Sequence, residues 1–154
     1  MVRYLIFLSF FIFSCSNSDS VVKQSYNFDQ VFFDVVEKKI VYEGEIPDYL
    51  KSITKNWFDN DVKVDGIDGT MEMKLLNYKE NISNISDGKK IELFMNFEVF
   101  IQKNNNSTKQ SIKGDVSTYS TITGSFALKE IDTLISNSQV ELIRLLIEKL
   151  NSNY

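Results

Sequence analysis

Residues 90–102 constrain this chain more than any other stretch. Ile91, Leu93, Met95, Phe97, Val99 and Ile101 all fall on one parity, and Glu92, Asn96, Glu98 and Gln102 fall on the other. Successive side chains of an extended strand point to opposite sides, so this alternation predicts a strand with one buried face and one wet face. The remaining elements must supply neighbouring strands and something apolar to cover the buried side.

Residues 31–42 are rich in β-branched and aromatic types and read as a first strand, buried on both faces at its start. Pro47 opens a helix at its first position, where the missing N–H costs nothing. Tyr49, Leu50, Ile53, Trp57 and Phe58 recur at three- and four-residue steps, and Asp59, Asn60 and Asp61 end the helix. Residues 70–80 alternate around Met71, Met73 and Leu75, a second strand. The polar residues 81–88, closing on Asp87 and Gly88, read as a loop and turn. Residues 104–109 read as a hairpin loop and the Ser/Thr-rich residues 111–123 as a fourth strand.

From Phe126 to Leu150 the period becomes helical. Leu128, Ile131, Ile135, Leu142, Leu146 and Leu150 share one face, widened by Leu134, Ile143 and Ile147. About 24 residues at 1.5 Å each span ~36 Å, enough to cross a four-stranded sheet diagonally. The order β-α-β-β-β-α predicts an α+β fold. Its four-stranded, mainly antiparallel sheet carries both helices on one face, within a single domain over residues 26–154.

The 154 residues carry a net charge of −4 and a pI near 4.9. An acidic chain without a Lys/Arg stripe is a poor nucleic-acid ligand, because phosphate contacts dominate that affinity. Histidine is absent, which removes the usual neutral-pH acid/base and the commonest metal ligand. The one cysteine permits no internal disulfide. No cofactor is implied.

That cysteine sits at a telling place. Arg3 makes the start positive, and residues 5–13 are apolar apart from Ser9. Nine residues are too few for a helix to cross a bilayer core of ~30 Å, so the segment reads as a secretory leader. It ends Ile12-Phe13-Ser14-Cys15, which resembles the lipobox of bacterial lipoproteins, with Phe13 bulkier than the usual occupant. The resemblance implies cleavage after residue 14, a diacylglyceryl group on the Cys15 thiol and acylation of the new amino terminus. Several acyl chains, at ~0.8 kcal/mol per buried CH₂, would hold the chain to a membrane. Ser16 stands where an Asp tends to retain Gram-negative lipoproteins in the inner membrane, so the resemblance favours the outer one, facing the periplasm. Residues 15–25 begin with a polar run, Ser16 to Ser20, suited to a flexible tether.

Behind that leader, the element order resembles two groups. One comprises small Gram-negative envelope lipoproteins of no assigned activity, in which a Pro-started helix carrying Trp (here Pro47 and Trp57) and a long C-terminal helix hold the same places. The other is the lipopolysaccharide-assembly lipoprotein, a two-helix, four-strand plug of the outer-membrane translocon. These resemblances imply a non-enzymatic binding or scaffolding role toward an envelope protein partner. An accessory role in lipopolysaccharide or lipid transport is the alternative, and a hydrolase using Ser or carboxylate chemistry a third reading.

Few residues suggest a site. An EF-hand loop starting at Asp61 would use Asp61, Lys63, Asp65, Gly66 and Glu72, but Lys63 puts a cation where an oxygen ligand belongs, so a solvated turn is the better reading. Glu43 with Glu45, and Glu92 with Glu98, are carboxylate pairs with no pocket to tune them, and no Ser-x-x-Lys signature accompanies the many serines. The Asn-X-Ser/Thr triplets at Asn81, Asn84, Asn105 and Asn106 read as loop residues behind a bacterial leader. Phe94 and Phe100 interrupt the polar face of the third strand and Tyr119 lies on the outer face of the fourth. These three aromatics are the candidate binding residues, with cross-strand pairing as the competing explanation. The apolar face of the last helix and Trp57 read as core.

Overall fold

The computed structural model describes residues 26–103 and 109–152. The leader, Cys15, the 15–25 tether and most of the expected loop at 104–108 lie outside the described residues.

The first extended segment is two strands, not one. β1 (Val31–Phe33) and β2 (Glu37–Glu43) are separated by a bend at residues 34–36. Val31 and Phe33 are buried while Phe32 is exposed, so β1 hides one face, not both. The bend moves the chain between sheets. After α1 (Asp48–Asn60), β1 pairs in parallel with β3 (Val62–Val64), whereas β2 pairs in parallel with β4 (Thr70–Ile85). Gly66 holds the corner: its N–H donates to Val35 O at 3.1 Å, and a Cβ there would sit 2.4 Å from Val35 N.

β4 also outruns its expectation. The loop predicted for residues 81–88 is strand as far as Ile85, paired with β5 (Gly88–Gln102), and only residues 86–87 turn. The polar side chains misled the reading because this half of the hairpin is exposed on both faces, so polarity marks solvent there, not a loop. Asn81 and Asn84 are therefore strand residues, and Asn105 and Asn106 lie outside the described residues. Gly88 is indispensable at the turn, since a Cβ would lie 1.9 Å from Ile122 O. A bulge at Asn77 and Tyr78 shifts the β4–β5 register, with Asn77 at φ +54°.

β6 (Lys109–Thr123) pairs antiparallel with β5 from end to end and forms one edge, giving the order β2-β4-β5-β6. The fold is α+β with a mixed, mainly antiparallel four-stranded sheet. The chain ends on α2 (Leu128–Ser152), whose first turn is closed by Glu130 accepting from Ala127 N–H at 2.6 Å.

Register shows that the helices share a face. Lys38, Met71, Ile101 and Gln110 are lateral neighbours, and Ser120 lies on the same side. Lys38 Nζ donates to Phe58 O at 2.5 Å and Val62 O at 2.6 Å, closing the C-terminus of α1, while Ser120 and Ser138 share a 2.8 Å hydrogen bond under α2. Between helices and sheet lies one core holding Trp57, Phe33, Leu50, Phe97, Leu142 and Leu146. All six alternating residues of β5 are in it. Trp57 Nε1 donates to Asp29 O, which satisfies the only polar atom of its side chain.

Candidate functional site: the helix-free face of the sheet

Among the described residues, the other face of the sheet carries no helix. Its side chains form an ion-pair lattice across the strands. Lys39 meets Glu72 at 2.8 Å, Lys74 meets Glu43 at 2.8 Å, and Lys113 meets Glu98 at 2.8 Å. Hydrogen bonds from Lys39 hold the Glu72 carboxyl below its ordinary pKa, and Glu43 raises the Lys74 ammonium. Such solvent-facing pairs set register and solubility more than stability.

Phe94 and Tyr119 break this lattice together. Glu92 lies opposite Tyr119 and Phe94 opposite Ser117, so the two rings are diagonal neighbours on adjacent strands. Tyr119 is 70% exposed and Phe94 half-buried. They flank a shallow depression of about 350 Å³ that Lys79, Asn81 and Glu92 also line. Lys90 Nζ bonds Glu92 Oε1 at 2.6 Å and lies 5.2 Å from the centre of the Tyr119 ring. Asn81 Nδ2 donates to the other Glu92 oxygen at 3.3 Å, and the Lys90 hydrogen bond foremost lowers the Glu92 pKa. Nearer the middle of the same face, Asn96 Oδ1 is buried without a hydrogen-bond partner.

Phe100 does not join them. It is 41% exposed, on the same face but six residues along β5, about 20 Å from Phe94. Sequence periodicity found both rings of the pair but missed Lys90, Asn81 and Lys79. Lys90 and Glu92 share a parity, a legible signal. The Lys79–Phe94 and Asn81–Glu92 pairings depend on the bulge, which is not.

The other candidates are dispersed. Asp61 follows α1, Lys63 lies in β3, Gly66 packs on residues 34–35, and Glu72, on β4, is paired with Lys39 of β2 and Lys74. Glu43 and Glu98 have lysine partners on the sheet, and Glu45 sits in the loop before Pro47. Among the described residues, no group of three or more His, Cys, Asp or Glu residues is placed to hold a metal, and no helix is long and apolar enough to cross a membrane.

No protein-family model and no curated protein matches this sequence. Solved structures do. The chain is similar to a minor lipoprotein of Acinetobacter baumannii, with a TM-score of 0.54 and 12% identity over 77% of this chain and 94% of that one. It also superposes, more loosely, on uncharacterized lipoprotein B of Nitrosomonas europaea, with a TM-score of 0.45 and 10% identity over 80% of this chain and 86% of that one. The first likeness establishes a shared fold; the second is too loose to carry an argument.

Proposed function

We propose that this protein is an envelope lipoprotein, anchored by acyl chains on Cys15 and facing the periplasm from the outer membrane. Its role is to bind or scaffold an envelope protein partner, without catalysis. The observation that carries the binding role is the aromatic pair Phe94 and Tyr119, neighbours on a sheet face that also carries the lysine–carboxylate pairs. A ring that is 70% exposed contributes little to its own fold, whereas aromatics on a polar rim are what protein interfaces favour. Glu43, Glu72, Glu92 and Glu98 on this face are each engaged by lysine, which suits recognition better than proton transfer. The lipobox resemblance at residues 12–15 supports the anchor, and the shared fold with a bacterial lipoprotein agrees with it.

The anchor is tested by metabolic labelling with a fatty acid in a bacterial host. Label should enter the wild-type chain and be lost in Cys15→Ala. Recovery of an unacylated, freely soluble mature chain that begins elsewhere would contradict the reading.

A further inference from the structure

We infer that the edge of β4 beyond its bulge, residues 79–85, takes an extended segment of the partner protein as an added strand of the sheet. This rests on the protein-binding role proposed above and specifies how that partner docks. The pairing of β2 ends where Glu43 lies beside Leu76, so residues 79–85 are paired on their β5 side alone. Among the described residues, no hydrogen bond from another element reaches the other side of this backbone. Lys79, Glu80, Asn81, Ile82, Asn84 and Ile85 are all exposed, so no described loop or helix folds over the edge. An open row of amides and carbonyls of this kind is a template for a further strand, which here would lie in line with β2.

Both sides of the edge suit such a strand. Ile82 is level with buried Ile91 and faces the helices, whereas Ile85 has the other parity and faces away. They are 42% and 38% exposed, and a strand alongside covers one on each side. On the helix side, a groove of about 620 Å³ opens between β4 and the start of α1, lined by Ile46, Pro47, Lys51, Tyr78 and Glu80. On the helix-free side, Lys79 and Asn81 line the depression that holds Phe94 and Tyr119, so an added strand is continuous with the aromatic surface.

Charge selects the occupant. Lys79 makes no hydrogen bond or ion pair with any described residue. Near it on the helix-free side, Lys74 already holds Glu43, and Lys90 with Asn81 holds Glu92, which leaves one positive charge unanswered at the edge. On the helix side the balance is reversed. Glu45, Asp48 and Glu80 outnumber Lys51, which pairs with Asp48, and Lys89, which donates to Asn84. Opposed residues of neighbouring strands share a face, and opposite charges there are favourable. The segment that fits therefore sets a carboxylate against Lys79 and, on the adjoining residue, a cation against Glu80.

Panning a phage-displayed library of random nine-residue peptides against the full chain in detergent micelles tests this. The wild-type chain should enrich peptides with Asp or Glu next to Lys or Arg. Lys79→Glu, at an exposed and unpaired position, should bind those peptides at least tenfold more weakly and enrich a cation in place of the acid. On binding, hydrogen exchange should slow at least tenfold at the amides of residues 79–85 that point away from β5. No enrichment, binding indifferent to Lys79→Glu, or unchanged exchange would overturn the inference. Peptides that are lost on Phe94→Ser with Tyr119→Ser, yet give no such protection, would remove the added strand while leaving the aromatic surface standing. Sedimentation of the free chain examines the other occupant: self-association that the peptides dissolve would assign the edge to a second copy and overturn the inference.

Discussion

β5 shows the two faces of this sheet side by side. Toward the helices it presents Ile91, Leu93, Met95, Phe97, Val99 and Ile101, all closed off from water. Away from them it presents Lys90, Glu92, Phe94, Asn96, Glu98 and Phe100 to a surface that no element among the described residues covers. The first face is apolar throughout and derives its energy from exclusion of water. The second is held by charges that water already satisfies, so its two prominent rings, Phe94 and Tyr119, contribute little to folding. One face specifies the fold. The other is free to specify a partner.

The largest expected effect separates them. Trp57→Ala or Phe97→Ala removes a side chain that is almost wholly buried and should cost about 3–5 kcal/mol, read as a lowered midpoint in denaturant or heat. A cost near zero at either residue would break the distinction. Lys38→Met comes next. It strips the C-terminus of α1 of a donor to the carbonyls of Phe58, Asp59 and Val62, and should cost about 1–2 kcal/mol in chemical denaturation.

Phe94→Ser with Tyr119→Ser should leave stability within about 1 kcal/mol of wild type while removing partner capture from native membranes. A loss as large as that of Trp57→Ala would make these rings part of the fold instead.

The smallest effect is acidic. Glu72 and Glu92 have pKa values below the ordinary 4.5, so they contribute stability above that value and lose it as pH falls through their lower values in the fold. Both are only partly shielded from water, so the decline below pH 4.5 should be shallow. Lys39→Met or Lys90→Met should flatten it further in melting curves taken from pH 6 to pH 3.

Much of this architecture was legible because burial leaves a period. The strict alternation of β5 and the three-to-four spacing of α1 and α2 reappear as the buried side of core elements, except at Tyr49 and Leu128, which open each helix and are exposed. Where a segment is exposed on both sides, the period vanishes, and residues 81–85 read as a loop although they form strand. The division of residues 31–42 escaped for another reason: β1 and β2 are equally rich in β-formers, and the bend depends on Gly66 approaching from more than thirty residues away. The site was half legible. Phe94 and Tyr119 stand out on a polar face, but their nearness rests on the β5–β6 register, and their separation from Phe100 on strand geometry.

The claim that the helix-free face is the working surface is tested most directly by site-specific photo-crosslinking. A photoreactive phenylalanine analogue would be placed at Phe94 in the full-length chain in living cells, and separately at Lys55 on the exposed side of α1. A discrete adduct to an envelope component from position 94, absent from position 55, is the predicted result. Adducts of equal yield from both positions, or none from position 94, would contradict it.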